Sequence, residues 1–376
     1  MEQRAIVVVG AGPAGSAAAR AAALAGVAPL LVERDAVPGA SNACGGVCAL
    51  AYRDRLGLPA EVVEQEIVRT RLCVGGQTHE FARTRPSYIS FERAAFDAFL
   101  ARRAAEAGAE LLTNTRVAAV DASQRKLVLQ DRTTGAVREV VADMLLFADG
   151  PTTLAAEAFG IGHQPGPRTR RAIYWDLEGE AAEPDMAELL VDMGQMATGY
   201  TWVFPKRGHV QVGVGAPYGT GGPPLPQRLA SFVESRDDLR GRRILRRHGG
   251  VIPGHVAERF VADGAMVVGD AAGLVNPMTG GGIAFALRSG EIAGRVAAQA
   301  VRKGRTDAAA LRAYPRRWRR TSHAVWLALM ARWRARLDRV EPTARAAAYA
   351  RALRRYFRVF HTLGSVVDAL VRRSHS

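Results

Sequence analysis

The sequence has few cysteines and no long apolar segment. Three cysteines, Cys44, Cys48 and Cys73, are too few for a disulfide framework and cannot supply the four thiolates of an iron–sulfur cluster. No His or Asp cluster stands beside them to complete a metal site, so we expect no metal. No signal peptide is recognisable, and no stretch reaches the roughly 18–20 apolar residues of a membrane span. These absences predict a protein of a reducing, cytoplasmic compartment.

Lysine is scarce throughout the chain, and acidic residues are scarce at its end. The 376 residues include 48 arginines but 3 lysines, and the formal net charge is +15. Residues 295–376 contain 20 basic and 4 acidic residues, so the positive charge belongs to the C-terminal segment. The whole chain, with 48% hydrophobic and 23% charged residues, has the composition of a globular protein long enough for two domains.

The beginning of the chain has the pattern of a βαβ unit. In order, it contains an apolar run at 5–9, Gly-x-Gly-x-x-Gly at 10–15, an Ala-rich helical segment at 16–25, an apolar run at 29–32, and Glu33. Uninterrupted short apolar runs are typical of buried parallel strands. A glycine fingerprint in this setting predicts that a dinucleotide binds here.

Each glycine of this turn, together with the helix N-terminus and Glu33, has a physical role. Gly10 permits the tight turn, Gly12 lets the backbone approach a pyrophosphate, and Gly15 allows the helix to pack closely on the sheet. The helix N-terminus favours the phosphate charge, and Glu33 can accept hydrogen bonds from a ribose. An acidic residue at the ribose position argues against a 2′-phosphate, so the unit predicts NAD or FAD rather than NADP.

The rest of the chain leaves this nucleotide-binding pattern and returns to it. The sequence predicts a helix at 91–107, strands at 110–120, 126–130 and 144–148, antiparallel aromatic strands at 170–215, and a buried strand at 265–268. We therefore expect an α/β protein in which a Rossmann-like domain is interleaved with an antiparallel-sheet domain and followed by a helical segment. The expected segments are 1–165 (FAD-binding), 166–252 (substrate, mostly β-sheet), 253–300 (FAD-binding, return) and 301–376 (basic, helical).

Three motifs together resemble those of FAD proteins of the p-hydroxybenzoate hydroxylase type. They are the glycine fingerprint, Asp149-Gly150, and Gly-Asp-Ala-Ala-Gly at 269–273. The resemblance implies that Asp270 reaches the ribityl or pyrophosphate part of FAD. It also implies that the helix after 280–283 presents its N-terminus to the flavin, where its dipole would stabilise an anionic reduced ring.

Within that fold the chain resembles the geranylgeranyl reductase family. Four stretches carry the resemblance: Cys44-Gly45-Gly46; Arg93-x-x-Phe96-Asp97-x-x-Leu100; Tyr200-x-Trp202-x-Phe204-Pro205 with Gly213-x-Gly215; and Val275-Asn276-Pro277-x-Thr279-Gly280 after the third FAD motif. Two positions depart from the family pattern. Asn42 stands where Lys is common, and Gly281 stands where Glu is usual. If that Lys and Glu bind a charged substrate head group or relay protons in the family, the substrate or the proton source of this protein differs.

The resemblance implies an FAD-dependent reductase that saturates C=C bonds of a prenyl chain by hydride transfer from reduced flavin, with Cys44 at the reacting centre. A small buried loop residue without chemistry is the alternative for Cys44. Tyr200, Trp202, Phe204 and Pro205 would wall an apolar cavity for the substrate, and a plain core stripe is their alternative. The expected cofactor contacts are Gly10, Gly12, Ala14, Gly15, Glu33, Arg34, Cys44, Gly45, Val47, Arg93, Val117, Ala118, Asp270, Gly280, Gly282 and Ile283.

The sequence leaves alternatives for the substrate, the reductant and the function. The substrate is a prenyl-chain lipid or a prenyl diphosphate, and the reductant is NAD(P)H or a reduced carrier protein. An aromatic monooxygenase or halogenase on the same fold is one rival function, and a non-catalytic membrane or redox-partner flavoprotein is another. We expect surface or structural places for His79, His163, His209, His248 and His255, because they form no catalytic or metal-binding spacing.

The basic C-terminal segment, residues 308–371, predicts two or three helices. Trp318, Trp326 and Trp333 lie there among many arginines. Basic, Trp-bearing helices suit the surface of an anionic membrane, so we expect a cytoplasmic protein that can bind peripherally to the inner face of a membrane. A helical cap with solvated arginines is the alternative. No recognition motif accompanies the charge, so we expect no nucleic-acid partner.

Overall fold

A computed structural model describes residues 2–74, 76–191, 199–217 and 222–362. These residues form β-strands that we number β1 Glu2–Val9, β2 Leu30–Val32, β3 Val47–Ala49, β4 Gln65–Ile67, β5 Arg69–Val74, β6 Gln77–Ala82, β7 Tyr88–Ser90, β8 Glu110–Leu112, β9 Thr115–Asp121, β10 Lys126–Asp131, β11 Val137–Phe147, β12 Arg170–Glu178, β13 Met186–Val191, β14 Tyr200–Pro205, β15 His209–Pro217, β16 Ile244–Ile252, β17 Val261–Ala262 and β18 Ala265–Val267.

The helices lie between and after these strands. They are α1 Pro13–Leu24, α2 Ala51–Leu56, α3 Arg93–Glu106, α4 Leu154–Phe159, α5 Leu225–Glu234, α6 Ile283–Arg302, α7 Ala308–Leu311, α8 Ala313–Arg319, α9 Ser322–Asp338 and α10 Pro342–Thr362, with short 3₁₀ turns at Ala60–Val62 and Gly269–Ala272. None of the helices in the described residues is both long enough and apolar enough to cross a lipid bilayer.

The first of two compact units, residues 1–41, 93–166 and 252–330, is built on an eight-stranded sheet. Its strand order is β17-β18-β11-β1-β2-β8, and β10 joins β9 to β11. The pairings from β18 through β11, β1 and β2 to β8 are all parallel. Parallel strands end at one edge of a sheet, so the segments that follow β1, β11 and β18 lie side by side there.

Two helices of this unit touch through their backbones. An added Cβ at Gly290 of α6 would lie 2.1 Å from the carbonyl oxygen of Ala14, and one at Gly294 would lie 2.1 Å from that of Ala18. Because the later residue of α6 meets the later residue of α1, the helices run parallel. Their N-termini therefore point the same way, towards the edge where β1 ends.

The second unit, residues 42–92, 167–251 and 331–376, contains two further sheets. The larger has the order β16-β12-β15-β14-β13-β5-β6 and is antiparallel except for the β13–β5 pair. The smaller is the antiparallel sheet β3-β7-β4. One face of the larger sheet, with Val210, Val212 and Val214, packs on α5. The opposite face carries the alternate residues of the same strands.

The expected α/β class, with a chain that leaves one unit and returns to it, is confirmed. The unit boundaries differ from the expected segments. Residues 42–92 belong to the second unit, because β5 and β6 extend its larger sheet. The C-terminal segment divides after residue 330.

Three expected elements have different bounds. The single strand expected at 110–120 is two strands, because Asn114 adopts a left-handed conformation with φ 52° and β8 and β9 pair with different partners. The helix expected from 91 begins at Arg93, since the amide of Phe91 is bonded to the carbonyl of Gly46. The C-terminal segment forms four helices up to residue 362, and residues 363–371 lie outside the described residues.

We expect Gly294→Ala to destabilise the protein by roughly 2–3 kcal/mol, because its methyl group would overlap the backbone of α1. Alanine normally stabilises a helix interior relative to glycine by about 1 kcal/mol, so the sign of the change identifies the contact. Urea unfolding measures it, with Arg295→Ala at the adjacent exposed position of α6 as control. A neutral or stabilising Gly294→Ala would contradict the close approach of α1 and α6.

Candidate functional site

The glycine turn after β1 leaves the beginning of α1 open. Gly10 has φ +95°, and a Cβ there would lie 2.6 Å from the carbonyl oxygen of Ala148. A Cβ at Gly15 would lie 1.8 Å from the carbonyl oxygen of Gly10, which explains why both positions exclude larger residues. At Gly12, the N-cap residue, no side chain caps the helix, and an added Cβ would meet nothing nearer than 4.0 Å. The first amides of α1 are thus placed to hold an anion.

Glu33 lies at the end of β2, beside this turn. Its Oε2 accepts a hydrogen bond of 2.7 Å from the amide of Ala11, and its Oε1 accepts one of 2.9 Å from Asp35. Burial raises the pKa of Glu33 although both amides oppose the rise. Each oxygen keeps a further lone pair, so the carboxylate can still accept ribose hydroxyls. The neighbouring Arg34 is exposed and donates to Ser41.

Asp149 follows β11 at the same edge of the sheet. Its Oδ2 accepts a 2.8 Å hydrogen bond from the amide of Leu154 at the start of α4. Its Oδ1 is buried and has no hydrogen-bond partner within the described ranges. Burial raises the pKa of Asp149 to about 6, against the hydrogen bonds and the charge of Arg34. A hydroxyl-bearing ligand would supply the donor that this oxygen lacks.

Asp270 follows β18 and is the third acidic group at this edge. Burial raises the pKa of Asp270 to about 6, opposed by the charge of Arg93. Arg93 itself makes two hydrogen bonds, of 2.9 and 2.6 Å, to the buried carboxylate of Asp97. Asp149 and Asp270 are both half-buried. Partial exposure of this kind is typical of side chains that line a cleft.

The beginning of α6 lies next to Asp270. A Cβ at Gly282, its N-cap, would lie 3.0 Å from Oδ1 of Asp270, and no side chain caps the helix. Gly280, with φ +75°, closes the preceding turn by donating to the carbonyl of Asn276. Ile283 is the first helical residue. A second uncapped helix N-terminus therefore stands beside the acidic groups.

These features fit an FAD molecule: two uncapped helix N-termini for negative charge, carboxylates for hydroxyls, and an orphaned acceptor at Asp149. Of the other expected contacts in the first unit, Ala14 is buried in α1, Val117 packs against the core and Ala118 is exposed on β9. Cys44, Gly45 and Val47 lie in the second unit.

The aromatic residues expected to bind substrate form one row in the second unit. Tyr200, Trp202 and Phe204 alternate along β14, on the face of the sheet opposite α5, and their neighbouring ring centroids are 6.0 and 6.1 Å apart. Pro205 ends the strand. The ring of Trp202 lies over Gly213 of β15, where a Cβ would be 2.1 Å from it. The row is therefore distinct from the valine core under α5.

The loop that carries Cys44 lies on this same face. A Cβ at Gly45 would be 2.7 Å from the ring of Phe204, and Gly250 of β16 approaches the side chain of Ala43. The thiol of Cys44 accepts a hydrogen bond of 3.4 Å from the amide of Gly46. The structure thus brings Cys44 and the aromatic row together. Like Cys48 and Cys73, Cys44 is a free thiol.

A cluster of charged and polar residues adjoins the aromatic row. The indole of Trp202 donates to Gln211, whose amide donates to Asp176, both at 3.4 Å. Arg246 and His209 lie 2.9 and 3.8 Å from Asp176. Arg246, His209 and Gln211 were not among the expected site residues.

Of the surface or structural places expected for the histidines, His209 has a structural one: it is 8% exposed and lies near the acidic groups of Glu92 and Asp176. Its Nε2 is 3.3 Å from Glu92. Burial would lower the pKa of His209, but Glu92 and Asp176 raise it above its usual value. For Glu92 the effects are reversed. Burial alone would raise the pKa of Glu92, but the hydrogen bond from His209 and the positive charges of Lys206 and Arg246 lower it to about 2. In the sequence, His209 and Gln211 alternate with Gly213 along one strand, so the three residues share one face of the sheet. This alternation was the signal that could have indicated the cluster.

Two family models and several named proteins match this chain. A family model described as "FAD dependent oxidoreductase" matches residues 5–170, and one described as "Lycopene cyclase protein" matches residues 224–361. Digeranylgeranylglycerophospholipid reductase 1 of Methanopyrus kandleri is 36% identical over 83% of this chain and 85% of its own length. The chloroplastic geranylgeranyl diphosphate reductase of Nicotiana tabacum is 30% identical over 84% of this chain and 71% of its own length.

Solved structures share the fold. A geranylgeranyl bacteriochlorophyll reductase-like protein of Thermoplasma acidophilum superposes with a TM-score of 0.81 at 24% identity, over 92% of this chain and 90% of its own. A flavin-dependent brominase superposes with a TM-score of 0.73 at 18% identity, over 98% of this chain and 97% of its own. At such identities the likeness concerns the fold, whereas the sequence relatives show the family. The chain belongs to the geranylgeranyl reductase family of FAD-dependent oxidoreductases.

Proposed function

We propose that this protein is an FAD-dependent reductase that saturates C=C bonds in the prenyl chain of a lipid or a prenyl diphosphate. The observation that carries the proposal is the Cys44 loop lying on an aromatic row that faces away from the core under α5. Such a surface binds a prenyl chain by burying apolar area, at roughly 0.8 kcal/mol for each CH₂ group. The names of the relatives from Methanopyrus kandleri and Nicotiana tabacum support the same substrate class.

The residues of the first unit would hold the cofactor. Glu33 would bind the adenosine ribose, and the glycine turn with the N-terminus of α1 would bind the pyrophosphate. Asp270 and the beginning of α6 would bind the ribityl chain and the flavin. Arg93 would act mainly through Asp97 and Asp270, because its guanidinium already holds the Asp97 carboxylate. When bound and reduced, FAD supplies a hydride equivalent.

The second unit would bind the alkene and control its surroundings. A hydride added to one alkene carbon must be matched by a proton added to the other, and an unconjugated alkene accepts a hydride poorly unless protonation begins early. We place Cys44 nearest the reacting alkene. The rings of Trp202 and Phe204 would exclude water, which would otherwise compete for the reactive groups. The electron donor, NAD(P)H or a reduced carrier protein, is distinguished by anaerobic stopped-flow reduction with each candidate.

Prenyl reduction by the reduced protein tests this function directly. Dithionite-reduced protein, incubated without oxygen with a panel of prenyl lipids and prenyl diphosphates, should add two hydrogens for each saturated bond, as read by mass spectrometry. Cys44→Ala should lower the rate by about tenfold or more, a typical effect for a group at the reacting centre. Cys73→Ala, on β5 of the same unit, is the matched control and should change the rate by less than about twofold. Oxygen transfer to a phenol without prenyl saturation would instead favour the monooxygenase alternative.

The buried carboxyl of Asp270 affects the stability of the cofactor-free protein. Because its pKa is raised, the folded chain favours the protonated carboxyl of Asp270. Ionisation of this carboxyl therefore destabilises the fold, starting at about pH 4 and reaching its full effect above about pH 6. Asp270→Asn should therefore stabilise the cofactor-free protein by roughly 2–3 kcal/mol near neutral pH and not below about pH 4. The same variant should lose FAD on dialysis more readily than the wild type.

Thermal unfolding across this pH range, without FAD, measures the effect. Asp237→Asn is the control, because the Asp237 side chain is 91% exposed. If Asp270→Asn changes the unfolding temperature no more than Asp237→Asn does, ionisation of the Asp270 carboxyl does not destabilise the folded protein as we expect.

We also infer that an anionic membrane surface is a partner of the basic C-terminal segment. Four exposed arginines of α8 and the residue after it, Arg316, Arg317, Arg319 and Arg320, precede α9. On α9, Val325 and Leu329 are 64% and 51% exposed, one helical turn apart. Exposed apolar side chains next to arginines complement the charge and the interior of such a surface. A helical cap with solvated arginines is the alternative.

Binding to vesicles of phosphatidylglycerol and phosphatidylcholine, compared with binding to vesicles of phosphatidylcholine alone, tests this surface. The protein should co-sediment with the anionic vesicles, and the double change Arg319→Glu with Arg320→Glu should weaken binding by about tenfold or more, since each basic residue near the surface is worth about 1 kcal/mol. The control with equal charge is Arg85→Glu with Arg168→Glu, at exposed positions elsewhere. Equal losses from both pairs would indicate a response to net charge alone.

A further inference from the structure

Lys206 is a buried cation that follows β14 and continues the alternation of Tyr200, Trp202 and Phe204. Its side chain is fully buried. The chain has 48 arginines and 3 lysines, so a lysine at a fully buried position stands against the strong compositional preference for arginine. A buried charge is retained only where hydrogen bonds and opposite charge compensate for the loss of water.

The ammonium group of Lys206 joins two other segments of the second unit. Its Nζ donates to the carbonyl oxygen of Phe91 at 2.7 Å and to that of Gly46 at 3.2 Å. The backbone amide of Lys206 donates to the carbonyl of His209 at 3.1 Å, which fixes the residue to the β14–β15 turn. One side chain therefore ties the end of the aromatic row to the end of β7 and to the loop that carries Cys44.

The loop around Gly46 depends on close packing at this point. Gly46 has φ +58°, and a Cβ there would lie 2.1 Å from the carbonyl oxygen of Phe91 and 2.7 Å from Nζ of Lys206. The amide of Phe91 donates to the carbonyl of Gly46 at 2.8 Å, so that carbonyl accepts from both the backbone and Lys206. The next residue back, Gly45, rests on the ring of Phe204.

The chemistry of the contact explains the choice of lysine. Two carbonyl oxygens converge on a compact ammonium, which can turn its N–H groups towards them. A guanidinium is planar, wider and carries five N–H donors, which two carbonyls in a closed space cannot satisfy. Burial lowers the pKa of Lys206, while the negative charge of Glu92 raises it and so favours the charged form.

We propose that Lys206 is a positioning residue: its ammonium group holds the loop of residues 44–46 on Phe204 and so keeps Cys44 at a fixed place beside the aromatic row. The effect on turnover rests on the prenyl-reductase function proposed above, whereas the effect on the loop does not. Without the ammonium group, the carbonyl of Phe91 loses its side-chain donor and the loop keeps only its backbone bond to that residue.

The experiment compares Lys206→Met, Lys206→Arg and Val233→Ala in the full-length, FAD-loaded protein. Val233 is buried on α5, against the opposite face of the same sheet, so Val233→Ala lowers stability without touching the loop. Hydrogen–deuterium exchange of the peptide covering residues 42–49 reports the loop directly. Anaerobic single-turnover prenyl reduction reports the chemistry, and thermal unfolding reports stability.

For both Lys206 variants we expect faster exchange in the 42–49 peptide and a turnover rate lowered by about tenfold or more, with FAD content unchanged. Val233→Ala should leave both readouts close to wild type despite its lower Tm. The positioning role is wrong if exchange in this peptide is unchanged in Lys206→Met, if Val233→Ala produces the same losses, or if Lys206→Arg behaves as wild type. If the wild-type protein reduces no prenyl substrate but Lys206→Met still frees the loop, the proposed function fails and the positioning role stands.

Discussion

The backbone contact between α1 and α6 is the constraint on which the candidate cofactor site depends. Gly290 and Gly294 allow α6 to lie against the carbonyls of Ala14 and Ala18, and the two helices run parallel as a result. Both helix N-termini then face the edge where β1, β11 and β18 end. Asp149 and Asp270 follow two of those strands. The positive ends of two helix dipoles and the acidic groups of the site are thus assembled by one close approach.

The second unit places polar and charged groups directly beside an apolar surface. Its larger sheet buries valines against α5 on one face and presents aromatic rings on the other. Charged groups at the end of this second face are compensated by each other, as in the pairs of Asp176 with Arg246 and Glu92 with His209. The aromatic row, which we propose binds the prenyl chain, and the charged cluster therefore share a single sheet face, and Gln211 links them through Trp202.

The sequence predicted the features that depend on local order. The βαβ unit, the three FAD motifs and the alternation of Tyr200, Trp202 and Phe204 all lie within short stretches, where residue type and spacing determine the geometry. The same motifs sufficed to identify the family. The division of the strand at Asn114 was not predicted, because a left-handed asparagine in a β-rich stretch has no distinctive spacing around it.

The charged cluster and Lys206 could not be predicted in the same way. Lys206 contacts Gly46 and Phe91, which are 160 and 115 residues away in the chain, and Glu92 meets His209 through the same tertiary arrangement. No periodic pattern connects such positions. The scarcity of lysine was visible in the composition, but its meaning depends on knowing that one of the three lysines is fully buried.

The raised pKa values of Asp149 and Asp270 in the first unit have a consequence for the stability of the protein in a cell. Folding buries carboxyl groups of Asp149 and Asp270 that ionise near neutral pH, and one oxygen of Asp149 finds no donor in the described part of the chain. A ligand that binds only the native state offsets such a burden by mass action. FAD bound at this edge would therefore stabilise the folded chain, and newly made chains would then accumulate or be degraded according to the cellular supply of the cofactor.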